Sequence, residues 1–468
     1  MGEPSPDRQS AREWAVVPGS REAFLDRGLP PAYDRRVPSP IDDGPWNFDC
    51  NRPPMPASNP PPRDTLLARA RSAFANRYGG VPSTVSWAPG RVELLGNHTD
   101  YNGGLVMAAA IDRGTVVAGR RREGSTASIL AANYDETDRF SIDAIDWPEA
   151  GTWARYTRGV CWAVSGWAGA LRSGFEAVVL GDVPLGAGLS SSASLQASFA
   201  WFLIAMGTVP GQSPGDFSGE GGDARLMELA QTLRRSENEF VGVGSGLLDQ
   251  FSSLFGRSDH ALFLDCSTLA HERLPLGNPA PAIVVCDSKT SRRLADGMYD
   301  RRRAECERIV SAYRDRIPVE GELLLSMVPL DWLEAEWDGL DRVGRRRARH
   351  VLTENDRVRR GIESLKSGDI GAFGRLMSAS HASSRDDFEN SSEALNRLIE
   401  AAESAPGFVG GKLSGAGWAG CTVNLVQADR TDEFVEAVRA RYARETGITA
   451  EIHVCRAEAS ASGWAAME

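Results

Sequence analysis

VPLGAGLSSSAS, residues 183–194, joins two glycines to three consecutive hydroxyls and the first turn of an apolar helix. Gly186 and Gly188 permit close backbone approach. Ser190, Ser191 and Ser192 lead into SASLQASFAWFLIAMG, a helix whose first N–H groups lack intrahelical acceptors and carry partial positive charge. The run reads as a phosphate cradle, with a nucleotide triphosphate as its natural guest. The P-loop pattern G-x-x-x-x-G-K-[ST] is absent and no lysine follows the glycines, so a serine must reach the metal. Taken alone, the run is equally a Gly/Ser turn ahead of a helix, and its neighbours decide between the two readings.

Immediately upstream, FEAVVLGDVP has the apolar character of a buried strand, which gives strand, loop and helix in sequence. Further back, TVSWAPGRVELLGNHTDYNGG runs from an extended apolar segment into a polar loop, and VMAAAIDRGTVVAGRR returns to strand character. That loop gathers a cation at Arg91, an amide at Asn97, an imidazole at His98 and a carboxylate at Asp100. Such a set can read several vicinal hydroxyls at once, although Asp100, Asn102 and the glycine pair are also ordinary turn formers. A third segment, GGKLSGAGWAGCTVNLV from Gly410, places small residues before a strand. Between these lie helices at ARYTRGVCWAVSGWAGALRSG and MELAQTLRRSENEFVG, a turn at VGSGLLDQ and a strand at PAIVVCDSK.

Beyond Pro281 the pattern changes to long charged helices, DGMYDRRRAECERIVSAYRDRI and RHVLTENDRVRRGIESLKSG, with strands at CTVNLV and EIHVCRA. A second α+β domain is expected there, and the dense charge on its helices reads as solvated surface. With 468 residues, 42% of them hydrophobic, the chain can bury a large core in two or three domains. A net charge of −11 argues against a general nucleic-acid-binding role. Seven scattered cysteines show no metal-ligand spacing and read as reduced cytosolic thiols. Neither a secretory signal nor an apolar stretch of membrane-spanning length is present, so the expected setting is cytoplasmic, with no membrane partner. Residues 1–62 hold more than half of the 26 prolines. This leader is expected to be extended or partly disordered, with short helices possible at AREWAVV and REAFLDRGL. The folded region starts at DTLLARARSAFANRYGG, a helix with an Asp cap and terminal glycines.

Taken together and in this order, the three segments resemble the motifs of the GHMP small-molecule kinases, and APGRVELLGNHTDYNGG resembles the signature of the galactokinases among them. VGVGSGLLDQFSSLFG and SASHASSRDDFENSSEALNRLIEAA are also similar to segments of that family. The resemblance spans roughly residue 64 to the end. It implies an α+β chain of two domains: an N-terminal mixed-sheet, ribosomal S5-like domain at 63–280 and a C-terminal ferredoxin-like α/β domain at 281–468, with the active site between them.

The same resemblance implies roles for individual residues. Asp249 falls at the position of the proton acceptor, and Arg91 at that of its cationic partner. Ser192 and Glu237 fall where magnesium is held; Ser190 and Ser191 would serve as helix cap and phosphate contact, beside the amides of Gly186 and Gly188. Sugar contacts would fall on Asn97, His98, Asp100, Gly246 and Tyr299. The implied activity is ATP- and Mg2+-dependent phosphorylation of galactose at C1, with a monosaccharide and ATP as partners and no nucleic acid or membrane. One departure stands out. The family usually reads GEHTD, its glutamate contacting the sugar's C6 hydroxyl, whereas this chain reads GNHTD and carries Glu93 where the family commonly has asparagine. Asn97 keeps open a C1 kinase for galacturonate or N-acetylgalactosamine, Glu93 offers a compensating exchange, and a non-catalytic sugar sensor is a further reading.

Overall fold

The computed structural model describes residues 63–149, 151–184, 186–290, 297–317, 321–335 and 339–465. The proline-rich leader, with the two short helices expected in it, lies outside them. From Arg63 the chain runs α1 (Arg63–Tyr78), β1 (Thr84–Leu95), β2 (Leu105–Arg122), β3 (Thr126–Ala131), β4 (Glu136–Ser141), α2 (Ala154–Ala168), β5 (Gly174–Gly181) and α3 (Ser191–Ala205). It continues through α4 (Gly222–Arg235), α5 (Leu248–Phe255), β6 (His260–Asp265), β7 (His271–Pro275) and β8 (Ala282–Asp287). The remainder is α6 (Met298–Tyr313), α7 (Leu330–Ala335), α8 (Arg342–Lys366), α9 (Ile370–Ser383), α10 (Glu393–Glu403), β9 (Phe408–Leu413), β10 (Cys421–Val426), α11 (Thr431–Thr446), β11 (Glu451–Cys455) and β12 (Ser462–Ala465).

Two sheets organise these elements into the two-domain α+β architecture. The first has eight strands in the order β12-β1-β2-β5-β3-β4, with β6 joined to β2 and β7 to β6. It is mixed, since β3 and β5 run parallel while the other pairs are antiparallel. The second sheet has four antiparallel strands in the order β11-β8-β10-β9, the ferredoxin-like arrangement, with α6 to α10 inserted between β8 and β9. The expected boundary at residue 280 falls between β7 and β8. The end of the chain departs from it, because β12 pairs with β1 and so completes the first sheet.

Strand β8 shows why the two sheets share one body. Ile283 and Val285 enter a cluster with Val92, Leu94 and Met107 of the first sheet, while Ala282, Val284 and Cys286 face Phe434, Val438 and Tyr442 of α11. The twofold alternation of side chains therefore meets an apolar core on each side, which is why AIVVCD reads as a continuous apolar run. On the first sheet's other side, Phe175, Ala177 and Val179 pack with Phe199, Phe202 and Leu203 of α3. Helix α3 is hydrophobic nearly all round because it is buried between that sheet and α2, α4 and α5.

Three expectations are corrected. MELAQTLRRSENEFVG is not one regular helix: α4 ends at Arg235 and passes into a π-helical turn at Ser236–Val241. VGSGLLDQ is not all turn, because α5 starts at Leu248 and places Asp249 in its first helical turn. The charged helices are not merely solvated, since Arg302 and Glu305 of α6 and Arg347, His350 and Glu354 of α8 are buried. Arg302 and Arg347 both bind the Glu305 carboxylate there, so the charges enter the interior as pairs. Among the described residues, no helix is long and apolar enough to cross a membrane.

Candidate active site

The pairing of β1 with β2 slips by a bulge between Pro89 and Arg91, a device that re-aims the side chain beside it. Arg91 reaches across to the first turn of α5. Its Nε donates to Asp249 Oδ1 at 2.7 Å, Nη2 lies 2.5 Å from the same oxygen, and Nη1 donates to the Gly188 carbonyl at 2.6 Å. The other carboxylate oxygen accepts from Ser190 Oγ at 2.5 Å. The Arg91 side chain is 8% exposed and that of Asp249 25%, so the carboxylate opens to the cleft while its cation stays behind it. Charge-assisted bonds on both oxygens leave lone pairs free to accept a further proton donor.

The serine run is arranged differently from its expected capping pattern. Ser190 stands at the N-cap of α3 in the left-handed region, φ 54°, and its hydroxyl serves Asp249 instead of the helix. No side chain caps α3, so its first-turn amides keep their anion-attracting character. Ser191 and Ser192, half-buried, occupy that first turn. Gly186 and Gly188 both adopt φ 71°, a conformation that penalises any side chain. A Cβ on Gly188 would lie 3.0 Å from the Ser414 carbonyl, and one on Gly415 3.3 Å from Gly188 Cα. The third motif is therefore the backing of the second, and its glycines allow the contact.

Glu237 lies in the π-helical turn after α4, a geometry that often marks functional positions. It is buried, and its Oε2 accepts from Ser245 Oγ at 2.9 Å and from Gln250 Nε2; the Ser192 side chain is near enough to favour the charged carboxylate. Burial first, and the neighbouring Asp249 second, raise its pKa above the ordinary glutamate value. A divalent cation would relieve both effects. Ser192 and Glu237 supply two hard oxygen donors, which suits Mg2+, an ion that keeps water and phosphate oxygens around it. Among the described residues, no group of three or more His, Cys, Asp or Glu could hold a metal unaided.

The polar loop after β1 closes the other side. Asn97 is 1% exposed and spends all of its amide inside the protein. Nδ2 donates to Glu93 Oε1 and to the Gly415 carbonyl, each at 2.9 Å, while Oδ1 accepts from Asn390 Nδ2 at 2.8 Å and Ser384 Oγ at 3.3 Å. Glu93 in turn takes a 2.6 Å bond from Lys412 Nζ, a lysine wholly buried on β9. The exchange of residues at 93 and 97 is thus a direct contact.

His98 is equally committed. Its Nε2 lies 2.9 Å from the Ala416 carbonyl, which can only accept, so this nitrogen carries the hydrogen and Nδ1 accepts from Tyr101 OH at 2.9 Å. Burial pulls its pKa down to about 3, so the ring is neutral. His98 packs among Tyr101, Tyr299, Phe388 and Trp418. Asp100 and Tyr299 remain half-buried and lie close enough to Asp249 to feel its charge. The Asp100 pKa is raised to about 6 by burial, then by Glu93 and Asp249. Gly246 touches this carboxylate so closely that a Cβ there would lie 1.8 Å from Asp100 Oδ2.

Arg91, Asp249, Asp100, Gly246, Tyr299, Glu237 and Ser190 therefore lie in one cluster around the Asp249 carboxylate, and Asn97 and His98 are buried beside it. Reading the sequence missed His350, Glu354 and Lys412. The only trace of the first two is their spacing of four on α8 among Val351, Leu352 and Val358, a polar pair on an apolar face.

Known proteins resemble this chain over most of its described length. Residues 72–121 match the galactokinase galactose-binding signature, residues 155–257 the GHMP kinases N terminal domain and residues 362–444 the GHMP kinases C terminal domain. The galactokinase of Roseiflexus sp. (strain RS-1) is 42% identical over 387 residues, covering 83% of this chain and 94% of that protein. The Homo sapiens galactokinase is 38% identical over 395 residues, covering 83% and 95%. Among solved structures, Lactococcus lactis galactokinase complexed with galactose superposes with a TM-score of 0.77 at 30% identity, over 85% of this chain and 99% of that one. A mevalonate kinase at 16% identity and TM-score 0.54 shares the fold. With the signature, both GHMP domains and full-length relatives in agreement, the chain belongs to the galactokinase family of GHMP kinases and is a phosphotransferase acting on a sugar hydroxyl.

Proposed function

We propose that this protein transfers the γ-phosphoryl group of ATP to the C1 hydroxyl of α-D-galactose, giving galactose 1-phosphate and ADP. The observation that carries the reading is the Asp249 carboxylate, held by Arg91 and Ser190 beside the uncapped N-terminus of α3. A sugar hydroxyl in the cleft would meet an acceptor for its proton on one side and a phosphate cradle on the other. Asp249 accepts the C1 proton as the new O–P bond forms and the bond to the departing ADP breaks. Arg91 lies against both the carboxylate and the turn at Gly188, where its fixed charge stabilises the negative charge spread over the transferring group. The first-turn amides of α3, with Ser191 and the amides of Gly186 and Gly188, receive phosphate oxygens. Ser192 and Glu237 would hold Mg2+, whose charge would neutralise that of the phosphates.

Asp100 and Tyr299 present polar groups to the sugar, and Gly246 leaves Asp100 the room it needs. Asn97 and His98 support that surface from behind rather than offering it free donors. This disfavours galacturonate. Both Asn97 N–H bonds are already used, and a C6 carboxylate would enter beside Asp100 and Asp249 with Arg91 already paired. Retention of every expected catalytic group likewise favours turnover over a sensing role.

The test is ADP release measured with galactose, galacturonate and N-acetylgalactosamine, each with and without Mg2+. Galactose should give the highest kcat/KM, and omission of Mg2+ should abolish turnover. A higher kcat/KM for galacturonate would replace the substrate assignment, and binding of ATP and galactose without ADP formation would replace catalysis with sensing.

A further inference from the structure

The loop that carries Asn97, His98 and Asp100 leaves the first sheet at Gly96 and re-enters it at Leu105, and both of its ends are gripped by one face of α8. Glu354 Oε1 accepts from the backbone N–H of Gly96 at 2.9 Å and of Asn97 at 3.3 Å. One turn earlier, His350 Nε2 donates to the Asn97 carbonyl at 2.9 Å. The next residue along, Asn355, accepts from the Leu105 N–H at 2.8 Å through Oδ1, and a Cβ on Gly104 would come within 2.7 Å of that oxygen. Between the two ends, Thr99 Oγ1 lies 2.8 Å from the Gly96 carbonyl and 2.7 Å from that of Leu105 and shares its single proton between them.

We infer that Glu354, with His350 and Asn355, is a positioning residue for sugar recognition: it fixes the backbone of the 96–105 loop, and with it Asp100, without touching the sugar. This rests on the proposed role of that loop in binding the acceptor. Glu354 is completely buried, so it has no access to a ligand. It is also held from its own side, by Arg357 Nε at 2.5 Å and by Ser380 Oγ of α9 at 2.5 Å. A carboxylate so held keeps a fixed place and offers a charged acceptor to two adjacent amides, a stronger clamp than a neutral side chain gives. The geometry also joins the two domains, because α8 belongs to the helical insertion of the second sheet while the loop belongs to the first. Acceptor affinity should therefore depend strongly on α8 and nucleotide affinity weakly, because the turn at 183–190 meets the loop at second hand, through Gly415, whose carbonyl accepts from Asn97 Nδ2.

Steady-state KM values for sugar and for ATP, measured on Glu354→Ala, Glu354→Gln and Asn355→Ala together with thermal unfolding, test this. The sugar KM should rise about tenfold or more in Glu354→Ala, since small displacements of a binding group are costly in rate and affinity. The ATP KM should stay within about twofold. Glu354→Gln should recover part of the loss, because its amide oxygen still accepts from Gly96 and Asn97. Asn355→Ala should shift the sugar KM in the same direction, and it carries the test if the Glu354→Ala chain does not fold. An unchanged sugar KM in these variants overturns the inference, as does a rise in both KM values that follows the drop in Tm. Asp100→Ala separates the two levels: if it weakens sugar binding while the α8 variants do not, only the role of α8 is wrong, and if it binds sugar normally, the loop's role fails as well.

Discussion

Arg91 and Asp249 stand 158 positions apart in the chain and meet through two contacts on one carboxylate oxygen, at 2.7 and 2.5 Å. A bulge in β1 delivers the guanidinium, and the first turn of α5 delivers the carboxylate. Ser190 donates to the other oxygen and leaves it room for one more donor, so the proton acceptor, its cation and the nucleotide turn form one hydrogen-bonded unit.

Replacing Asp249 by Asn removes the proton acceptor while preserving shape. Its kcat should fall by about 10²–10⁴-fold, the usual worth of a positioned base, with ATP and sugar affinities largely retained. Arg91→Lys cannot hold both Asp249 and the Gly188 carbonyl in the planar geometry of a guanidinium, and should also lose kcat. Single-turnover rates alongside equilibrium binding separate these effects; a Asp249→Asn enzyme with full kcat would dismiss the acceptor.

Asp100 must be ionised to accept hydrogen bonds on both oxygens, and burial, then Glu93 and Asp249, push its pKa up to about 6. Sugar binding should therefore weaken as pH falls through about 6, since the protonated acid loses acceptor capacity. A plot of log KM for sugar against pH should bend there, and Asp100→Asn should remove the bend. Gly246→Ala would drive a Cβ onto Asp100 Oδ2, so it should raise sugar KM without moving ATP KM. A pH-independent sugar KM in the unmodified enzyme would contradict this role.

Lys412 and Glu93 form an ion pair buried at 0% and 8% side-chain exposure. Lys412→Met leaves the Glu93 carboxylate inside without its cation and should cost about 3–5 kcal/mol of folding stability. Adding Glu93→Gln should restore much of that loss, since the uncompensated charge is then gone. A double-mutant cycle by denaturant unfolding measures the coupling, and additive effects of the two changes would rule it out.

The strands and helices that build the site were legible where periodicity and burial agree. AIVVCD reads as a buried strand because its alternate residues face two apolar cores, and SASLQASFAWFLIA reads as a buried helix because it packs on all sides. The charged helix α8 misled for the opposite reason. Its composition is that of a solvated surface, yet His350 and Glu354 are buried because partners distant in sequence, Asn97, Gly96 and Ser380, satisfy their hydrogen bonds, while Arg357 on the same helix balances the Glu354 charge.

What the sequence determined alone was the family and the inventory of groups, since local motifs and turn chemistry depend on neighbours a few residues away. Which of those groups face the cleft was decided by the tertiary structure. Asn97 and His98 sit in the most legible motif of the chain, but folding buries them and commits their side chains to Glu93, Gly415, Ala416, Ser384 and Asn390. Ser190 looks like a helix cap and instead serves Asp249. A side chain's hydrogen bonds are settled by whichever partner folding brings within about 3 Å, and most of those partners are remote in the chain.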